Sequence, residues 1–284
     1  MANTLTDLVP TQTPEKLAGD FGFTEGPVWH LDGYLLFSDI PASRINKYTP
    51  GGKAQPHIEP TGNSNGLTFD REGRLVACEH TGRRVSRQAP DGSMEAVAGS
   101  WDGKRLNSPN DVVVHSSGRI FFTDPPYDIS PEESEIGFNG VYRIDADGSV
   151  TLLGSDFGRP NGLAFSPDES VLYVDDTERR KVRAFDLGSD FGLTNDRMFI
   201  DMDVEATGSP DGMKVDTQGN LYITGAGGVW VITSSAQHLG TIAFPEQPAN
   251  LAFGGDDYKT LFITARTGLY SVRVNVAGIG PYRP

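Results

Sequence analysis

The chain has a single cysteine, Cys78, among its 284 residues. No internal disulfide can hold the fold, and nothing calls for an oxidising compartment. Cys78 sits in an apolar strand pattern, where a thiol acts as a small buried hydrophobe. Positive charge is also scarce: 24 Lys and Arg against 38 Asp and Glu give a formal net charge of −14. Neutralising phosphate takes clustered cations, so neither nucleic acid nor an anionic membrane is expected as a partner. No stretch approaches the roughly 20 apolar residues of a membrane-spanning helix. Met1 to Thr13 lacks the cationic start and apolar centre of a secretory signal, and a cytoplasmic protein is expected. Neither a Gly-x-Ser-x-Gly elbow nor a Walker loop occurs, so serine-nucleophile and nucleotide-cradle chemistry have no support. Regular helix periodicity is missing too, while 34 Gly and 19 Pro suit a turn-dense all-β chain.

What is present is a repeat. Glu25-Gly26-Pro27-Val28-Trp29 leads through Asp32-Gly33 into Tyr34-Leu35-Leu36-Phe37, which reads as two short strands joined by a tight turn. The same pattern restarts at Asn65, Asn110, Asn161, Asp211 and Asn250. Strand-only repeats about 40 to 50 residues long predict a β-propeller, here with six blades. The sixth copy runs out after its third strand near Val274. Residues 14 to 20 match the outer strand that precedes Asn161, so the N-terminal segment is expected to close the ring. One domain over 14–274 follows, with 1–13 as an N-terminal extension and 275–284 as a C-terminal tail. One connection is long, Tyr127 to Asn139, and loops of this length often act as lids.

Propeller symmetry brings the six leading residues to one mouth of the central channel. Glu25 and Asp211 are carboxylates there, and Asn65, Asn110, Asn161 and Asn250 are amides. Oxygen donors without a thiol suit a hard divalent cation, Ca²⁺ or Mg²⁺ first and then Mn²⁺. Asp39, Glu79, Asp124 and the pair Asp175-Asp176 end the second strands at the same mouth. A plainer explanation exists for each position. Asn and Asp tolerate left-handed turns and bond their own backbone, which accounts for the amides better than for Glu25. The second set can be read as loop caps. His80, beside Glu79, is either a base or a packing residue.

Glu25-Gly26-Pro27, Leu106-Asn107-Ser108-Pro109-Asn110-Asp111, Phe122-Thr123-Asp124-Pro125-Pro126-Tyr127, Arg159-Pro160-Asn161-Gly162 and Ser209-Pro210-Asp211-Gly212 occur in order along the chain. Together they resemble the gluconolactonase, senescence-marker-protein and luciferin-regenerating-enzyme family of six-bladed propellers, from Phe21 to Val274. The resemblance implies a lactone hydrolase with one divalent metal held by Glu25, Asn161 and Asp211, with Asn110 close by. It implies Ca²⁺ first, with Mg²⁺, Mn²⁺, Fe²⁺ or Zn²⁺ as alternatives, and a sugar lactone such as gluconolactone as substrate. Arg105 and Asn110 would orient the lactone, with Asn107 assisting and Tyr127 heading the variable loop. Asn65 and Asn250 keep the turn reading. Asp211 is the candidate general base, and the metal would polarise the carbonyl. Two rivals remain: a phosphotriesterase using the same site, and a non-enzymatic propeller that binds metal or a partner. A monomer is the default expectation.

Overall fold

The computed structural model describes residues 4–281. Six four-stranded antiparallel sheets surround a central axis. Blade one contains Thr24–His30, Tyr34–Asp39, Arg44–Tyr48 and Gln55–Ile58, and blade two contains Ser64–Phe69, Leu75–Glu79, Arg84–Gln88 and Met94–Ala98. A small hairpin, Ser100–Trp101 with Lys104–Arg105, leads to blade three, Val112–Val114, Ile120–Asp124, Asn139–Ile144 and Val150–Phe157. Blade four is Pro160–Phe165, Val171–Asp176, Lys181–Leu187 and Leu193–Asp201, and blade five is Met213–Val215, Leu221–Gly225, Gly228–Ile232 and His238–Ile242. Blade six has Pro248–Gly254, Thr260–Ala265 and Gly268–Arg273, and its outer strand is Glu15–Ala18. Glu15 pairs with Ser271 and Lys16 with Tyr270, so the N-terminal segment closes the ring as the repeat predicted.

The innermost strands explain why the repeat carries an acid or amide followed, in four copies, by glycine. A Cβ on Gly26 would lie 2.0 Å from the Asn65 carbonyl oxygen, and one on Gly162 would lie 2.1 Å from that of Asp211. On Gly212 it would lie 2.0 Å from the Asn250 side chain, and on Gly66 2.6 Å from the Asn110 carbonyl. Four of the six blades, one, two, four and five, therefore rest their inner strand directly on the next blade's leading residue. Hydroxyls stitch the same seam: Ser38 Oγ donates to Asn65 O at 2.8 Å, Thr123 Oγ1 to Asn161 O at 2.7 Å and Thr224 Oγ1 to Ala249 O at 2.8 Å.

The left-handed part of the turn explanation fails here, while its local-bonding part holds for Asn250, whose Oδ1 accepts the Leu251 amide at 2.8 Å. None of the six has a positive φ; of these steps only Gly26, at +49°, lies in the left-handed region. Instead, the pairing register breaks between Glu25 and Val28, Ser64 and Leu67, Pro160 and Leu163, and Pro248 and Asn250. A bulge at this place re-aims a side chain, which is how a strand end can present an acid or amide to the axis.

Apolar residues alternate along the strands and pack between blades. Blades five and six share one buried cluster that includes Val231, Leu251, Ile263 and Tyr270. That cluster also takes in Leu5, Leu8 and Val9, because a helical turn at Leu5–Leu8 folds beneath these blades and Asn275 N donates to Leu8 O at 2.8 Å. The expected N-terminal extension is thus packed at Leu5, Leu8 and Val9, while Pro10 to Thr13 are exposed. The tail is pinned as well: Thr217 N donates to Ala277 O at 2.9 Å and Ile279 N to Val215 O at 3.1 Å. Ile279 to Pro281 line a hollow at the lower mouth of the channel. Residues 1–3 and 282–284 lie outside the described residues. No described helix is long and apolar enough to cross a membrane.

The inner seam can be tested by filling it. Gly162→Ala is expected to lower stability by about 2 kcal/mol or more, because its Cβ would meet backbone rather than a yielding side chain. Urea denaturation monitored by tryptophan fluorescence measures this, and an unchanged midpoint would show that the seam has slack.

Candidate active site

Five of the six leading residues, Glu25, Asn65, Asn110, Asn161 and Asp211, line one cavity of about 550 Å³ at the upper mouth. Tyr127, His80 and Asp128 form part of its wall. Asn250, the sixth, lies below the floor, donating to Asp111 Oδ2 at 3.5 Å and bonding the Glu25 carboxyl.

Glu25 is 3% exposed, and its Oε2 accepts the Gly26 amide at 2.8 Å. Burial, then the charge of Asp111, pushes its carboxyl up to about 7 against the pull of the Gly26 amide. Asp211 opens onto the cavity but is otherwise walled by protein. Burial, then Glu25 and Asp111, holds its carboxyl well above the usual range, while the Asn161 amide steadies the charged form. The Asn161 Nδ2 donates to Tyr127 OH at 3.3 Å and Thr177 Oγ1 at 3.1 Å, which leaves its carbonyl oxygen as the free donor to a cation. Tyr127 is raised by burial and by Asp211, so its hydroxyl stays protonated.

These features meet the needs of a hard divalent ion. Two carboxylates, the charge of one (Glu25) raising the other (Asp211), are relieved by a cation, and an amide oxygen completes an oxygen-only set. Among the described residues no group of three or more His, Cys, Asp or Glu side chains is arranged as a metal cluster, and a set of two acids and an amide falls outside that pattern.

The second set of acids divides. Asp39 accepts the Gly22 and Phe23 amides at 3.1 Å each, Asp124 those of Asn107 and Ser108 at 2.8 Å each, and Asp176 those of Gly158 and Arg159 at 2.8 and 3.0 Å. Each clamps the loop entering an inner strand, and Glu79 pairs with Arg84 at 2.7 Å. These are the loop caps that the sequence allowed. Asp175 differs. It is fully buried beside Asp211 and Asp111, neither oxygen makes a well-formed hydrogen bond, and burial holds it well above the carboxylate range.

Two expected substrate contacts lie elsewhere. Asn107 is fully buried: its Nδ2 donates to Phe138 O at 2.8 Å and Asp124 O at 3.3 Å, and its Oδ1 accepts from Ser134 Oγ at 2.8 Å. Both amide atoms of Asn107 are engaged in holding the long loop, which leaves neither free for a substrate. Arg105 is exposed in a neighbouring hollow with Glu79 and Arg84 that shares Thr81 with the cavity, so it stands at the rim rather than in the lining. The loop itself is anchored. Arg83 donates to Leu106 O, Asn107 O and Glu133 O, and Ile136 is buried, while Tyr127 and Asp128 at the start of the long loop line the cavity.

Sequence reasoning under-rated Asn65 and His80. Asn65 Nδ2 contacts His80 Nε2 at 3.0 Å, and His80 Nδ1 contacts Asp128 Oδ2 at 3.2 Å. The repeat marked Asn65, but no local pattern links His80 to an acid 48 positions away.

The family model described as SMP-30/Gluconolactonase/LRE-like region matches residues 23–267. The chain belongs to this family. A gluconolactonase of Zymomonas mobilis is 34% identical, over 95% of this chain and 84% of that protein. A pentonolactonase of Haloferax volcanii is 32% identical, over 86% and 81%. The solved structure of a Xanthomonas campestris gluconolactonase superposes with a TM-score of 0.88 at 33% identity, covering 97% of this chain and 94% of that one. In this SMP-30/gluconolactonase/LRE-like chain, the cavity is the feature that gathers the acids.

Glu25 gives a pH test. Its carboxyl holds a proton more tightly in the native state than in the unfolded chain, so without a cation it favours folding in acid. That contribution is lost as pH rises from the ordinary carboxylate range through about 7. In chelator, the melting temperature of Glu25→Gln is expected to gain on that of the parent between about pH 5 and 7. A difference that is flat or shrinks with pH contradicts the assignment.

Proposed function

We propose that the protein hydrolyses a lactone, a sugar lactone first, to the corresponding hydroxy acid. The observation that carries this reading is the convergence of Glu25, Asn161 and Asp211 on one cavity with room for a six-membered ring. The gluconolactonase and pentonolactonase relatives, matched over most of their length, support the reaction class.

Glu25, Asn161 and Asp211 would hold the divalent cation, Ca²⁺ by donor type, which when bound supplies Lewis-acid polarisation of the lactone carbonyl. Asp211 is the base: a carboxylate Oδ takes a proton from the attacking water. Burial and the charges of Glu25 and Asp111 raise its basicity, offsetting what ligation removes. Glu25 stays a ligand because the Gly26 amide occupies one of its oxygens. Tyr127 fixes the Asn161 amide and so the direction of its carbonyl. Asn110 orients the ring from the cavity wall, and Arg105 reaches only substituents that project to the rim.

Gluconolactone hydrolysis, followed as acid release after chelation and add-back of Ca²⁺, Mg²⁺, Mn²⁺, Fe²⁺ or Zn²⁺, tests this directly. Loss on stripping and recovery with one cation is expected. No turnover above the spontaneous rate with any cation rejects the sugar-lactone reading.

Asp211→Asn is expected to lower kcat by about 100-fold or more while the protein stays folded, with a melting temperature in chelator no lower than that of the parent. Turnover near that of the parent would remove Asp211 from the role of base.

A further inference from the structure

The geometry points to a hydroxyl-recognition site beside the metal-ligand candidates, built by Asp128, His80 and Asn65, with Asn65 Oδ1 as the atom that accepts a substrate hydroxyl. The proposal rests on the lactonase reading and specifies which rings the cavity prefers. His80 is 4% exposed, and both of its ring nitrogens are committed. An amide nitrogen can only donate, so the 3.0 Å contact from Asn65 Nδ2 makes His80 Nε2 the acceptor. The ring hydrogen is then on Nδ1, where it meets Asp128 Oδ2 at 3.2 Å. One tautomer satisfies both contacts, and it fixes the Asn65 amide with its nitrogen toward the imidazole.

Among the described residues no donor meets Asn65 Oδ1, although Asn65 lines the cavity. An acceptor held this way, with its own nitrogen already paired, suits an O–H donor and offers nothing to a bare methylene. The ring of His80 also stacks on Tyr127, with centroids 5.8 Å apart and planes 23° apart, and Tyr127 bonds the Asn161 amide. The hydroxyl acceptor and the carbonyl-activating side of the cavity are therefore linked along one wall through Tyr127. Asn65 contacts substrate, while His80 and Asp128 are positioning residues that act through it.

A site built around a hydrogen bond discriminates against the analogue that lacks the donor. The test compares gluconolactone with δ-valerolactone, which has the same six-membered ring without hydroxyls. His80→Phe keeps the stack on Tyr127 but removes the acceptor, whereas His80→Gln keeps an acceptor for the Asn65 amide. His80→Phe is expected to reduce the ratio of kcat/KM for gluconolactone over δ-valerolactone by roughly tenfold, the loss of one hydrogen bond, chiefly through KM. His80→Gln should keep most of the ratio. Asn65→Leu should match His80→Phe, and the double variant should lose no more than the worse single one. Calorimetry gives a reading independent of turnover: D-gluconate binding weakens in His80→Phe by a similar factor. A ratio unchanged in His80→Phe, or lost equally in His80→Gln, overturns the proposal. So does a parent enzyme that does not distinguish the two lactones. A parent that hydrolyses neither overturns the lactonase reading beneath it.

Discussion

The structure depends on how closely six innermost strands can approach one axis. Gly26, Gly66, Gly162 and Gly212 let the backbone or side chain of the next blade's leading residue occupy the space a Cβ would fill. Ser38, Thr123 and Thr224 then bond the carbonyls brought within reach. Packing this tight leaves five of the six leading side chains facing the upper mouth, while Asn250 turns to Asp111 beneath them. The acids and amides of the cavity are thus a by-product of closing the ring, and their spacing is set by backbone contacts rather than by flexible loops.

Gathering acids in this way has an electrostatic cost. Glu25, Asp111, Asp175 and Asp211 are buried near one another, and each is raised by desolvation before any effect of its neighbours. Lys214 is the cation that bears on Glu25 and Asp111 from the channel, and its Nζ is also tied to Met213 O at 2.9 Å. A site that repels its own charges is poor for stability and well suited to a cation or a proton. The outer acids, Asp39, Asp124 and Asp176, have backbone amides to satisfy them and are part of the frame.

Much of this was legible in the sequence because propeller symmetry is written as a period. Spacing located the leading residues, and the outer-strand match at residues 14 to 20 located ring closure. The reason for the glycines was hidden, since a turn and a close approach look alike in one dimension. The surroundings of Asn107 and Asn65 were hidden for a similar reason: which amide atoms are consumed by neighbours depends on Ser134, Phe138 and His80, none of them adjacent in the chain. The packing of Leu5 and Leu8 was also unreadable, because a four-residue helical turn has no periodicity to detect and is held by tertiary burial alone.

Ring closure by the first strand has a consequence for biosynthesis. Glu15–Ala18 is made before any blade exists, yet its pairing partner is the third strand of the last blade, and Thr24 Oγ1 waits for Gly268 O, 244 residues later. Blades one to five are built from consecutive strands and can form as they emerge, whereas the outer strand of blade six has no sheet to join until the chain is nearly complete. Until then the edge of Gly268–Arg273 is open to any extended segment nearby. The strand at the beginning of the chain is the last to be placed, and its arrival ends the period in which the nascent protein can pair with a neighbour.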